Sequence, residues 1–398
     1  MPSQRAIIKP ELLVWAREDA GLSIEEAAGK IKVTPEYLGA CERDGNTRLT
    51  VRQLRILSNA YKRPLAFFYL PAPPPKSAEL RDFRRPSEEP PEPESAKLRY
   101  EIRRARYRRK VALDLLEEIG EGVSEFKARA TLQEDAAEVA RRLRALLHIQ
   151  RAEQRNFDDE YDALNAWREA IENTGVAVFQ ALGIDDREMV GVSLSEPKLP
   201  VILLNMGGAP VRRIFTMMHE MTHLMLRTGG VCTLNEVQAI EVFCNEVAGE
   251  TLVPRAWLLD EPVVKSRGPQ REWAGELIQA LARRYRVSRE TVLRRLVVAG
   301  YATNEFYEQK RDEYQAEFEA RARAVAKKRK EQEKSGGIAP STQALGESGK
   351  MFVRLVLESY RQDKITLGDV SDYLEVRTKH LDKIAQAVEN PTLELGAA

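Results

Sequence analysis

Through residues 8–70, apolar positions recur three and four apart in short runs broken by cap and turn signals, the pattern of a compact helical bundle. Pro10 starts a helix carrying Leu12, Leu13 and Ala16, and Gly21 ends it. Ser23 and Glu26 form an S-x-x-E capping box ahead of Ala27, Ala28 and Ile31. Thr34 as N-cap and Pro35 as first helical residue open a third helix, which runs to about Arg43 and stops before Gly45. Thr50 with Gln53 caps a fourth, bearing Val51, Leu54, Leu57 and Ala60. Two short helices separated by a few residues make a helix-turn-helix, whose second helix is the one that enters a DNA major groove. Thr34, Tyr37 and Arg43 are the contacts that helix offers, with Arg48 and Arg52 placed for the phosphate backbone. Glu36 stands among them, so a bundle serving only dimerisation or protein binding remains an alternative.

The pattern then changes twice. Pro71, Pro73, Pro74, Pro75, Pro86, Pro90, Pro91 and Pro93 make residues 71–95 an extended linker, and Phe83 in Asp82-Phe83-Arg84-Arg85 is costly to leave in water. From Ser95 to about Glu118 a helix is expected, with a narrow stripe of Leu98, Ile102, Ala105 and Ala112. Its first half crowds Lys97, Arg99, Arg103, Arg104, Arg106, Arg108, Arg109 and Lys110 against Glu101. Those cations suit DNA phosphates or an acidic surface of the same protein equally.

Strand and helix signals alternate after that. Residues 125–130 read as a short strand, and Asp135–Leu147 and Asp158–Asn173 as amphipathic helices. Residues 175–180, 189–194 and 200–205 read as strands separated by turn signals. Two helices follow, over Ile214–Leu226 and Asn235–Leu252. Beyond Pro254, residues 271–299 have the rhythm of another helix-turn-helix, in which Arg294 and Arg295 fit packing better than nucleic acid. Phe306–Glu333 is a long charged helix, Ser335-Gly336-Gly337 to Ser348-Gly349 a flexible spacer, and Lys350–Val388 a last helical piece. The helix-turn-helix period thus occurs three times, without enough identity to define a repeat.

The fold class this predicts is α+β, mostly α. It comprises a helix-turn-helix bundle over 1–70, the linker over 71–95, and a small sheet with its helices over 96–265. A helical extension over 266–334, the spacer over 335–349 and the segment 350–398 complete the division.

Composition changes this picture little. Charged residues make up 31% of the 398, but the formal charge is only +1, so local patches must decide any affinity for nucleic acid. No apolar run approaches the roughly eighteen residues of a membrane span, and Met-Pro-Ser-Gln-Arg lacks a signal-peptide core, so no membrane partner is expected. Cys41, Cys232 and Cys244 are scattered without C-x-x-C spacing, as in a reducing cytoplasm, and Cys244 reads as a small buried residue.

Chemistry concentrates at His219-Glu220-Met221-Thr222-His223. Residues four apart share a helix face, so both imidazoles point one way and can bind one Zn²⁺, while Glu220 is placed to take a proton from a water there. The other two histidines, His148 and His380, lie far away in sequence. On the next helix Glu241, Asn245 and Ala248 share one face, which makes Glu241 the third ligand and Asn245 a hydrogen-bond partner that fixes a ligand histidine's tautomer. Glu236, Glu246 and Glu250 are its rivals.

H-E-x-x-H followed by E-x-x-x-N resembles the gluzincin metallopeptidases. Residues 213–223, R-I-F-T-M-M-H-E-M-T-H, resemble the R-x-F-T-x-x-H-E-x-G-H stretch of the ImmA/IrrE metallopeptidases. Residues 241–254 resemble that family's second helix and its L-x-P exit. Thr222 stands where the family often has Gly, and Val247 where it often has Phe; both departures spare the candidate ligands. Residues 22–28, Val33-Thr34, 41–45 and 61–64 resemble the Xre-type repressor domain, and D-F-R at 82–84 follows that domain in fused ImmA/IrrE-type proteins.

The resemblance spans roughly residues 8–70 and 95–390 and is strongest over 200–260. It implies a minimal zincin with Zn²⁺ as cofactor and Glu220 as catalytic base. The implied partners are a protein substrate, a transcriptional regulator cut within a stress-response or mobile-element circuit, and double-stranded DNA; the resemblance also admits a homodimer. A second reading is a DNA-binding regulator or antitoxin-like module whose zincin domain senses metal or a partner without turnover. Intact Glu220 speaks against it, because a purely structural site needs no base.

Overall fold

The computed structural model describes residues 5–43, 49–74, 94–227, 234–333 and 339–389. Arg48, Asp82–Arg85 and Cys232 lie outside them, as does most of the 71–95 linker. The chain divides into two compact units, residues 1–105 with 183–189, and residues 106–182 with 190–398.

In the first unit, α1 (Pro10–Asp19), α2 (Ile24–Ile31), α3 (Pro35–Arg43) and α4 (Val51–Ala60) form the expected bundle, followed by a 3₁₀ turn over Leu65–Tyr69. Both capping boxes are made, Ser23 with Glu26 and Thr50 with Gln53. Lys32 in the left-handed region (φ +56) ends α2 and turns the chain into α3. A Cβ at Gly39 would lie 3.3 Å from Ile24, so the small residue lets α3 approach α2. Leu12, Leu13, Leu38, Leu54, Leu57 and Tyr61 fill the centre, where truncating one leucine costs about 2–5 kcal/mol. Arg17 forks onto Glu42 at 2.8 and 3.0 Å and ties α1 to α3.

The basic helix α5 (Ala96–Glu118) engages several of its cations within the protein. In the first unit Arg103 pairs with Asp19 at 2.8 Å, and Arg104 with Glu101 at 3.2 Å. In the second, buried Arg108 lies 3.9 Å from Glu347 and 3.8 Å from Glu375, while Arg109 donates to the carbonyls of Leu199 and Lys198. These contacts favour the second of the two roles the charge run allowed.

The second unit continues with α6 (Ala136–Leu147), α7 (Arg151–Arg155), α8 (Glu160–Glu172), β1 (Ala177–Ala181), β2 (Gly191–Leu194) and β3 (Val201–Asn205). Next come α9 (Pro210–Leu226), α10 (Leu234–Leu252), α11 (Arg255–Leu259), α12 (Pro262–Arg267), α13 (Gly275–Tyr285), α14 (Arg289–Val298) and α15 (Asn304–Glu333). Last are α16 (Pro340–Arg361), α17 (Leu367–Leu374) and α18 (Leu381–Glu389). The protein is α+β and mostly helical, as expected.

The sheet order is β1-β3-β2. β1 runs parallel to β3, with Val178 opposite Ile202, and β2 antiparallel, with Gly191 opposite Leu204. β1 and β3 are buried along their whole length, which explains their unbroken apolar character. α16 and α8 pack against β1, where Phe352 meets Phe179 edge-on at 5.8 Å. β2 is the outer strand on the other side, with Val192 and Ser193 half-buried.

The last carbonyls of α10 and the turn after it are taken by side chains. Arg144 reaches Thr251 at 2.6 Å, Gln154 reaches Leu252 at 3.0 Å, and Arg295 reaches Val253 at 3.0 Å. Each satisfies a buried acceptor that the helix end would otherwise leave open. Arg295 thereby belongs to packing, as its sequence context suggested.

Two expectations are corrected. Residues 125–130 are not a strand: Glu125 makes a single bridge with Lys198, and Ala130 bonds to Met225, so the segment straps two neighbours without a ladder. The spacer expected over 335–349 is helical from Pro340 onward. Gly349, at φ +81, kinks α16, and its missing Cβ admits Arg168 and Glu172 of α8. The glycines that suggested flexibility permit close approach instead.

Candidate metal centre

Pro210 at the first position of α9 fixes the backbone entering the helix, which runs seventeen residues without a break. His219 and His223 therefore share a face, with both rings buried. Their Nε2 atoms lie 3.0 Å apart. Glu241 of α10 closes the triangle, its carboxylate oxygens 3.3 Å from His219 Nε2 and 3.1 Å from His223 Nε2. Ligands at ~2.0–2.1 Å from a tetrahedral Zn²⁺ lie roughly 3.3 Å from one another, so the three atoms have the spacing of one coordination sphere. Glu241 Oε1 is buried and, among the described residues, has no aligned hydrogen-bond donor, as suits an oxygen reserved for a cation. Burial opposes the ionisation of Glu241, but the two imidazoles facing it more than offset that and hold its carboxyl at about 2.

Asn245, one turn beyond Glu241, places its Oδ1 3.0 Å from His219 Nδ1. With Nδ1–H donating there, the Nε2 lone pair of His219 is directed at the cluster. The rival carboxylates are elsewhere. Glu246 is exposed, Glu250 pairs with Arg295 and accepts from the Arg255 amide, and the side chain of Glu236 lies outside the described residues. Cys244 is buried as a small apolar residue.

Glu220 is also buried, on the side of α9 that meets β2. A Cβ at Gly191 would sit 3.5 Å from Glu220 Oε1 and 2.5 Å from Thr216 Cγ2. Sequence reasoning missed Gly191 and Thr216. The signal was a lone glycine between Val190 and Val192, which in a strand marks close approach. It also missed Gln180 of β1, which accepts from Arg213 at 2.6 Å and donates to Gly346 at 2.9 Å, fixing the start of α9. Among the polar residues of the same unit, Tyr161 is exposed over Arg213, Arg255 opens α11, and Tyr301 receives Trp273 on its carbonyl.

The candidate DNA contacts are placed less completely. Thr34 caps α3 by accepting from the Tyr37 amide at 3.3 Å; Tyr37 is half-buried near Arg5, and Arg43 and Arg52 are exposed. Among the described residues no helix is long and apolar enough to cross a membrane.

Comparison with known families agrees with this architecture. Residues 175–297 match the IrrE N-terminal-like domain of a peptidase family, and residues 13–68 match a helix-turn-helix domain. The chain thus carries an ImmA/IrrE-type domain joined to an N-terminal Xre-type helix-turn-helix. A search of curated proteins gives no match.

Proposed function

We propose that this protein is a zinc-dependent endopeptidase joined to a DNA-binding domain, and that its substrate is a repressor or partner regulator. The observation that carries the reading is the convergence of His219, His223 and Glu241 beside a buried Glu220 that faces the outer strand. Zn²⁺ held by those three groups supplies a Lewis acid for a peptide carbonyl and lowers the pKa of water at an open position towards ~7.

The remaining steps belong to side chains of the chain. Glu220 accepts the proton of the attacking water and returns it to the leaving amine. β2, as outer strand, offers main-chain donors and acceptors to an extended peptide, which aligns one peptide bond above α9. Gly191 lets β2 lie close against Thr216 and Glu220 of α9, which sets the strand directly beside the base. Asn245 holds the His219 ring in place.

In functional terms residues 96–265 carry the chemistry and residues 1–70 bring it to DNA, with 266–334 packing beside the core. A cytoplasmic setting and a role in a stress-response or mobile-element circuit accompany this reading.

The test compares wild type with Glu220→Gln, measuring bound zinc and the cellular proteins cleaved on expression. We expect equal zinc in both and loss of cleavage in the variant. Equal cleavage by both would remove Glu220 from the chemistry. Full zinc occupancy with no protein cleaved by wild type would favour the sensing role.

A further inference from the structure

We infer that residues 366–388 form a second DNA-binding helix-turn-helix, built on the same frame as α2–α3 and more basic over the turn and the start of its second helix. The frame repeats position by position at one constant offset without a gap. Thr366 makes a capping box with Asp369, as Ser23 does with Glu26. α17 and α2 are both eight residues long. Each ends on a left-handed residue, Glu375 (φ 54) and Lys32 (φ 56), followed by a valine, Val376 and Val33. The buried positions correspond as well: Val370 to Ala27, Leu374 to Ile31, Leu381 to Leu38, and Ile384 to Cys41. A 3₁₀ turn over Thr378–His380 leads into α18, where α3 begins directly. Since the α2–α3 segment lies within the matched helix-turn-helix domain, the same frame predicts the same supersecondary unit at 366–388.

A third copy of the frame shows what a purely structural version looks like. Leu281, Tyr285, left-handed Arg286, Val287 and Val292 occupy the same positions in α13–α14. There the cations of the second helix are engaged. Arg289 pairs with Glu317 and lies 4.3 Å from the Tyr314 ring, Arg294 lies over Tyr307, and Arg295 holds Glu250.

In the C-terminal copy Arg377, Lys379 and Lys383 are exposed, and among the described residues none has an ion-pair partner. His380 is half-buried beside them. Over corresponding spans, residues 377–386 carry three cations and one carboxylate, and residues 34–43 carry one cation and two carboxylates. Of the acids nearby, Asp369 is used in the cap and Glu375 faces Arg108, which leaves Asp372 and Asp382. Exposed cations without ion-pair partners at the turn into a second helix and on its first turn are the footprint of phosphate binding.

The experiment uses the full chain carrying Arg43→Glu and Arg52→Glu, so that the N-terminal module is weakened, and a short mixed-sequence DNA duplex as probe. Affinity is measured over a salt series. We expect salt-dependent binding that Lys379→Glu with Lys383→Glu weakens roughly 10-fold or more at low salt, with the slope of log affinity against log salt falling by about 2. An unchanged melting temperature excludes misfolding; if it drops, the Lys379→Gln and Lys383→Gln pair decides by the same slope. Absence of duplex binding in the Arg43→Glu and Arg52→Glu protein overturns the inference. So does an affinity and slope indifferent to the lysine changes, or a preference for single strands over the duplex.

Discussion

Gly191 of β2 and Glu220 of α9 stand so close that a single added methyl at residue 191 would lie 3.5 Å from the Glu220 carboxylate. The same methyl would lie 2.5 Å from Thr216 Cγ2, inside any real contact distance. Gly191→Ala is therefore expected to destabilise the protein by about 1–3 kcal/mol through overpacking and to abolish cleavage while zinc stays bound. Adding Thr216→Ser, which removes the opposing methyl, should recover much of the melting temperature. Full stability and activity in Gly191→Ala alone would show that β2 yields freely at this point.

Asn245 tests the support of the metal site separately from its ligands. Its carboxamide meets His219 Nδ1 on the side away from the cluster. Asn245→Ala should weaken zinc affinity by ~10–100-fold and leave the fold intact. Glu241→Ala should lose most zinc, and Glu246→Ala, at an exposed position, should keep it. Zinc content after dialysis against a weak chelator reads all three, and retention by Glu241→Ala with loss by Glu246→Ala would reassign the ligand.

Gly349 tests the docking of the C-terminal helices. Its φ of +81 disfavours a side chain, and a Cβ there would lie 2.6 Å from Arg168 Nη2 and closer still to Glu172 Oε1. Gly349→Ala should cost roughly 2–4 kcal/mol from backbone strain and crowding together. Limited proteolysis should then cut within 340–389 much faster than in wild type, with zinc unchanged. Equal cleavage rates would mean that α16 adapts its kink.

Asp260 contributes an acid-sensitive element. Lys265 first and Arg151 next, both at 2.7 Å, hold its carboxyl down at about 2, below the ~3.9 of an unfolded aspartate. A depressed carboxyl adds stability above its unfolded pKa, and that contribution fades as pH falls from ~3.9 towards 2. Asp260→Asn should flatten this part of the acid-unfolding curve slightly, because the group is exposed. A curve identical to wild type would mean that solvent already screens the pairs.

Much of this arrangement was legible before any coordinates, where local rules suffice. Ser23 with Glu26 and Thr50 with Gln53 announced their caps, because an N-cap and its partner three residues on are a local event. The face shared by Glu241 and Asn245 followed from the helical period alone, and those residues now meet His223 and His219.

Long-range contacts were not legible. Gly346 and Gly349 sit in a stretch of spacer-like composition, yet the Gly346 carbonyl receives Arg168 and Gln180. Nothing near those glycines in sequence signals such partners. The short helices α7, α11 and α12 span too few residues for a period to emerge. The order β1-β3-β2 also depends on which strands meet, which alternation within a strand does not encode.

The burial of all five residues of β1 also bears on what shorter forms of the chain would do. Part of that cover comes from α16, and a polypeptide ending before Pro340 would lose it. Ala177-Val178-Phe179-Gln180-Ala181 would then be an uncharged, strand-prone ribbon open to a second molecule, a template for self-association. Such a truncated protein should form oligomers that grow with concentration, through a surface that residues 340–361 keep hidden.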